Sequence, residues 1–229
     1  MKFPTSELNE YYNSRDTLKG IFSVFGDFGV GKTTFALQTA INCAKLGKSV
    51  IYVYTKPNLP FEKILIINKF SKEIYDNFLF IHIVNFNELY NLIFNFEFLI
   101  LEHLTQNKPK FSLIIIDSIT NLYRLELNKD NKEKNYSLNY QLNQMLANLT
   151  YLNERYNIEV LIVNEISRKT IENQMIQVQS GGKVMEYWVR YTLKITKTEK
   201  LNERKFLFSN IIEKHSIEFT SNLGEQGFK

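Results

Sequence analysis

The stretch Gly26-Asp27-Phe28-Gly29-Val30-Gly31-Lys32-Thr33 decides the fold. It matches G-x-x-x-x-G-K-[ST], a pattern whose glycines let successive backbone N–H groups curl around phosphate oxygens. Upstream, Ile21-Phe22-Ser23-Val24-Phe25 is apolar and aromatic and predicts a buried strand. Downstream, Thr34-Phe35-Ala36-Leu37-Gln38-Thr39-Ala40-Ile41 has the residues and apolar spacing of a helix. A glycine loop between strand and helix sets the helix N-terminus, with its positive field, against a phosphate group. The nucleotide contacts are therefore expected from Gly26, Asp27, Phe28, Gly29, Val30, Gly31, Lys32, Thr33 and Thr34. Lys32 is expected to reach the β- and γ-phosphates, and the Thr33 hydroxyl to ligate Mg²⁺. A chance glycine turn is the competing reading, and the strand and helix on either side argue against it.

Composition sets the frame. The 229 residues suffice for one α/β domain, with residues 1–20 as an N-terminal arm and 21–229 as the core. With 44% hydrophobic and 14% aromatic residues, that core is sizeable. No apolar run reaches the length of a membrane span, and residues 1–8 have no secretory h-region. The single cysteine, Cys43, forms no internal disulfide, which suits a reducing cytoplasm. A net charge of +4 is compatible with nucleic acid and too modest to argue for it alone.

Outward from the loop, apolar strands alternate with helical stretches, which implies a mostly parallel sheet. Strands are expected at residues 49–55, 78–84, 113–118 and 160–164. Pro57 and Pro60 mark a turn, and Phe61-Glu62-Lys63-Ile64-Leu65 opens a helix. Further helices are expected at 87–106 and 137–156, with a polar, charge-mixed loop at 128–135 between the last two strands. Residues 167–180 look polar and unpatterned and end at Gly181-Gly182. A short helical piece at 183–188 follows, with Tyr187 and Trp188 read as core. The stretches 191–195, 206–208 and 217–219 read as strands, the later ones antiparallel because their connections are too short for crossovers.

Two strand ends carry chemistry. Asp117 closes an apolar strand whose end faces the same crevice as the glycine loop, the usual place for an acid that holds a hydrated Mg²⁺. A loop-capping carboxylate is the alternative. Asn164-Glu165 ends the next strand, where polar groups could sense a γ-phosphate. His82, His103 and His215 have no metal-ligand spacing.

The stretch Leu113-Ile114-Ile115-Ile116-Asp117-Ser118-Ile119-Thr120-Asn121-Leu122-Tyr123-Arg124-Leu125-Glu126 resembles the Walker B segment of the archaeal RadA/RadB branch of the RecA superfamily. Gly181-Gly182-Lys183-Val184-Met185-Glu186-Tyr187-Trp188 is similar to the segment that closes the second DNA-facing loop of that branch, and Ile211-Ile212-Glu213-Lys214-His215 to a late strand. The resemblance spans residues 20–228, patchily between motifs, and the chain's shortness favours a RadB-like paralogue. It implies a RecA-like P-loop NTPase core, ATP and Mg²⁺ as cofactors, DNA (single-stranded) as partner, and a role in homologous recombination and repair. The implied DNA loops lie at 128–135, after Arg124, and at 167–182. Their basic residues are Arg124, Lys129, Lys132, Lys134, Arg168, Lys169 and Lys183, intermixed with acids, so a solvated loop competes with phosphate contact.

The chain departs from that family at three points. Where the family's second strand ends Asp-Thr-Glu-Gly, with the Glu activating water, this sequence reads Tyr54-Thr55-Lys56-Pro57. Where the family has Glu-Arg against the adenine, it has Glu62-Lys63, leaving Lys63 as a poorer stacking group. Where the family has Asn-Gln after the fifth strand, it has Asn164-Glu165. A RecA-like sheet order would put Lys56 and Glu165 on either side of Asp117. Pairing of Lys56 with Glu165 or Asp117 would replace the catalytic arrangement and leave ATP binding with weak or absent hydrolysis. Glu165 orienting water itself, or another carboxylate taking over, is the alternative, and Lys32 and Glu165 are the catalytic candidates. Competing functions are a non-catalytic adaptor of a RadA-like recombinase or nuclease, and a KaiC-like regulatory ATPase. A homo-oligomer is compatible with either.

Overall fold

The structure, a computed structural model, describes residues 1–13, 19–58, 74, 76–106, 109–171 and 174–229. In chain order these form α1 (Ser6–Asn13), β1 (Ile21–Gly26), α2 (Lys32–Lys45), β2 (Ser49–Tyr54), β3 (Phe78–His82) and α3 (Phe86–Thr105). Then come β4 (Phe111–Asp117), α4 (Ile119–Glu126), α5 (Lys132–Tyr156), β5 (Glu159–Asn164), β6 (Ile166–Ile171) and β7 (Gln174–Gln179). The chain closes with α6 (Gly182–Trp188), β8 (Val189–Lys197), β9 (Glu203–Asn210), β10 (His215–Gly224) and β11 (Gly227–Phe228). The helix expected from Phe61 and the position of Lys63 lie outside the described residues.

Among the described residues, nine strands form one sheet in the order β11-β10-β9-β8-β1-β5-β4-β2-β3. β1 through β5 and β8 are mutually parallel where they pair, and β9, β10 and β11 are antiparallel. The central strands are apolar throughout because both sheet faces are covered. Successive residues divide between the faces with the period of two that a strand imposes. Leu113 and Ile115 join the layer of α2 and the N-terminal segment. Ile114 and Ile116 join the layer of α3, α4, α5 and α6.

Two helix starts follow side-chain caps. The Asn85 side chain accepts from the Glu88 N–H at the head of α3, and Asn131 from the Lys134 N–H at the head of α5. The Asn131 cap starts α5 five residues earlier than its leucine pattern predicts, so Lys132 and Lys134 belong to its first turn and not to a loop. Residues 167–180 are also not unpatterned: β6 and β7 pair as an antiparallel ribbon, with Arg168 opposite Gln177 and Lys169 opposite Ile176. Tyr187 is 77% exposed and not core, whereas Trp188 packs on the α5 layer and donates its Nε1–H to Asn143. An α6 of about two turns cannot bury both faces.

The N-terminal segment closes one end of the core. Phe3 is buried, with its ring 5.1 Å from Phe22 and 6.0 Å from Phe35. The Asn9 side chain holds it there, accepting from the Phe3 N–H and donating to the Phe3 carbonyl, each at 2.9 Å. Phe3→Ala is expected to lower stability by about 3–5 kcal/mol, read as a lower denaturant midpoint at unchanged slope. A loss under about 1 kcal/mol would place the segment outside the cooperative core.

Candidate nucleotide-binding site

β1 sits between β5 and β8, so its C-terminal end delivers the glycine loop to the middle of the sheet edge. Gly31 caps α2 in the left-handed region at φ 105°, a conformation that needs glycine. A Cβ there would also lie 2.7 Å from the Phe228 ring, so the C-terminal strand packs directly under the loop. The Gln38 side chain fastens that strand, accepting from the Phe228 N–H at 2.9 Å. Val30 is buried, and Phe28 is 95% exposed at the loop's apex.

Lys32 is folded over the loop. Its Nζ donates to the carbonyls of Gly26 at 2.7 Å and Asp27 at 2.9 Å, and lies 3.1 Å from Glu165 Oε2. Burial lowers this ammonium's pKa, and Glu165 works against that shift.

The other groups come from neighbouring strands. β5, β4 and β2 are adjacent, so Glu165, Asp117 and Lys56 follow one another along one edge. Lys56 Nζ lies 3.3 Å from Asp117 Oδ1 and 3.8 Å from Glu165 Oε1, and donates to Thr33 Oγ1 at 3.3 Å. Lys56 thus meets both carboxylates, either of which the sequence offers as its partner. Burial pulls the Lys56 ammonium down, but Asp117 and then Glu165 outweigh it and hold its pKa above the usual lysine value. It is therefore charged at neutral pH.

Asp117 is wholly buried. Its Oδ2 accepts from the Tyr52 hydroxyl at 3.0 Å, and its Oδ1 faces Lys56 as an ion pair without an aligned hydrogen bond. Burial, followed by the Asp117 charge, drives the Tyr52 pKa well above its usual value, so Tyr52 remains a donor. Thr55 braces the adjoining backbone: its N–H donates to the Asp117 carbonyl, and its hydroxyl accepts from the Ser118 N–H and donates to the Ser118 carbonyl, each at 2.8 Å. The Asp117–Ser118 peptide is cis.

Glu165 is also the root of the β6–β7 ribbon. Its carbonyl accepts from the Ser180 N–H at 2.8 Å, and Asn164 donates to the Ser180 carbonyl at 2.8 Å. Asn164 accepts in turn from Thr120 and from the Glu165 N–H. The Gln177 amide reaches Asp27 in the glycine loop at 3.5 Å.

Lys32, Thr33, Asp117 and Glu165 are thus brought together with Lys56. Thr33 Oγ1 and Asp117 Oδ1 are oxygens of the right kind for Mg²⁺, but as arranged they do not fit a divalent ion, because one ammonium lies against both. Among the described residues no group of three or more His, Cys, Asp or Glu side chains could hold a metal. The basic residues lie on the elements that follow β4 and β5. Arg124 lies in the last turn of α4 and Lys129 in the turn before α5, both exposed. Lys134 pairs with Glu126 at 2.7 Å, and Lys169 on β6 reaches Glu186 at 3.9 Å. Arg168 on β6 and Lys183 on α6 are exposed. Sequence reasoning missed Tyr52, which reads as one more core aromatic, and it missed the glutamine contacts of the ribbon. Only the alternation of Val50, Tyr52 and Tyr54 hints that their side chains share a face. Tyr52→Phe is expected to cost about 1.5–3 kcal/mol, the worth of a hydrogen bond to a charged acceptor, in denaturant unfolding.

A family model described as Rad51 matches residues 8–217. The chain is 35% identical over 199 residues to the DNA repair and recombination protein RadB of Methanocaldococcus jannaschii, covering 86% of this chain and 85% of that protein. It is 32% identical over 199 residues to the protein of the same name from Methanococcus maripaludis, with 86% and 85% covered. It is 30% identical over 203 residues to that of Thermococcus sibiricus, with 86% and 78% covered. With a parallel sheet, a glycine loop at its centre and antiparallel strands at its C-terminal side in keeping with that match, the chain belongs to the Rad51 family, as a RadB-like member.

Proposed function

We propose that the chain binds ATP at the loop between β1 and α2, binds single-stranded DNA at the same sheet edge, and acts in DNA recombination and repair. ATP serves chiefly as a conformational ligand and is turned over slowly or not at all. The protein works as a paralogue or mediator beside a recombinase, in the cytoplasm. The observation that carries this reading is the cluster of Lys32, Lys56, Asp117 and Glu165 on the glycine loop. A lysine ammonium kept protonated by two carboxylates cannot take a proton from water. Loss of a positioned general base costs about 10²–10⁴-fold in rate.

The names of the relatives support the DNA arm, as do the exposed basic side chains of α4, β6 and α6. Exposed Tyr136 on α5 and Tyr187 on α6 stand on the same elements as Lys134 and Lys183, and offer faces on which bases can stack.

Lys32→Ala is expected to abolish measurable ATP binding in calorimetry while leaving the fold intact by circular dichroism. Unchanged affinity would sink the proposed pocket. DNA binding is expected to fall with salt, with a log–log slope of about −0.7 per phosphate contacted. Arg168→Ala is expected to shallow that slope by about one contact. A salt-independent signal would refute the phosphate contacts.

A further inference from the structure

The two oxygens that a magnesium ion would use at this loop are met by a side chain of the protein itself. Lys56 Nζ stands 3.3 Å from Thr33 Oγ1 and 3.3 Å from Asp117 Oδ1. Resting on the nucleotide reading above, we propose that the Lys56 ammonium takes the place of the divalent ion, so that the site binds metal-free nucleoside triphosphate.

Charge is the first support. Two ammonium groups, Lys32 and Lys56, face two carboxylates, Asp117 and Glu165, so the cluster is neutral without a metal. An acid at position 56 would leave it two units negative, the charge a divalent cation cancels. The lysine makes up that difference within the chain.

Size is the second. The two contacts at 3.3 Å suit an ammonium, whereas magnesium binds oxygen at about 2.0–2.1 Å and demands near-octahedral geometry. For direct coordination both oxygens would have to close in, and Asp117 is held from behind by Tyr52 and along its backbone by Thr55. Lys56 is anchored too, its carbonyl lying 2.9 Å from His82 Nε2.

Valence is the third. An ammonium has three donors. The hydrogen bond to Thr33 takes one and the ion pair with Asp117 faces a second, both at 3.3 Å, while the third has only the ion pair with Glu165 at 3.8 Å, the longest of the contacts. That third donor is the one a phosphate oxygen takes over, with Lys56 otherwise in place. Lys32 supplies the second cation, so a triphosphate meets two fixed ammonium groups and the amides of the loop.

The test is calorimetric titration of the full chain with ATP, once in excess EDTA and once in excess magnesium. The wild-type affinities are expected to agree within about threefold, less than half a decade on the affinity scale. Lys56→Gln is expected to bind about tenfold or more weakly in EDTA, with magnesium restoring part of the loss. A wild-type affinity that falls tenfold or more in EDTA (about 1.4 kcal/mol) overturns the proposal, as does a Lys56→Gln variant with the wild-type ratio. Should Lys56→Gln fail to fold, the wild-type ratio alone decides. Absence of binding in both conditions overturns the nucleotide reading and this proposal with it, whereas binding only with magnesium overturns this proposal alone.

Discussion

The site depends on one ammonium group held among the ends of three adjacent parallel strands. Parallel pairing of β2 with β4 puts Tyr54 level with Asp117, and pairing of β4 with β5 puts Asp117 level with Val163. Two residues beyond Tyr54 and Val163, Lys56 and Glu165 therefore converge on the buried carboxylate. Taking charges out of water is expensive, and the mutual attraction repays it only with good geometry and further hydrogen bonds. Tyr52 supplies the further bond, to the oxygen the lysine does not face. The strand order is thus a condition for the pair, and the pair in turn makes a buried Asp117 tolerable at the end of an otherwise apolar strand.

The same edge joins the loop to the ribbon. Glu165 touches Lys32 and Lys56 through its carboxylate and Ser180 through its carbonyl. It is the first residue beyond β5 and the last before β6, so one residue belongs to both the charge cluster and the base of an exposed hairpin. Gln177 makes a second link, from the ribbon to Asp27. Two separate connections mean that the ribbon cannot shift far without disturbing the loop. Sequence neighbours bring this about at one link and tertiary folding at the other. The C-terminal strand adds a constraint from below, since Phe228 fills the space a side chain at position 31 would need.

Much of this was legible in the sequence, because the signals are local. The glycine loop, its flanking strand and helix, and the apolar strands ending at Asp117 and Asn164 are contiguous patterns, and each stands where the pattern puts it. The convergence of Lys56, Asp117 and Glu165 followed only once a strand order was borrowed from the family resemblance, since periodicity does not order strands. What stayed hidden is non-local or masked by composition. Tyr52 meets Asp117 across 65 positions, with nothing in either segment to announce it. The Asn131 cap was lost among many asparagines. The ribbon showed no alternation because Arg168 and Lys169 are both exposed and polar. Tyr187 looked like core because an aromatic in a short helix usually packs, yet in a helix this short the adjacent Trp188 takes the inward position.

A phosphate loop by itself fixes binding and leaves chemistry open. Hydrolysis further requires a group free to accept a proton from water at the right place. Asp117 has Tyr52 on one oxygen and Lys56 on the other. Glu165 has Lys32 beside Oε2 and Lys56 beside Oε1. For Glu165 to serve as the base, both ammonium groups would have to leave it, and a triphosphate can draw both only by taking them as its own counter-ions. The carboxylate would then stand beside a polyanion with its compensation removed, where repulsion would push the side chain away. That displacement would take away the base. On the proposed reading, grip on the phosphates and activation of water would therefore compete for the same two lysines.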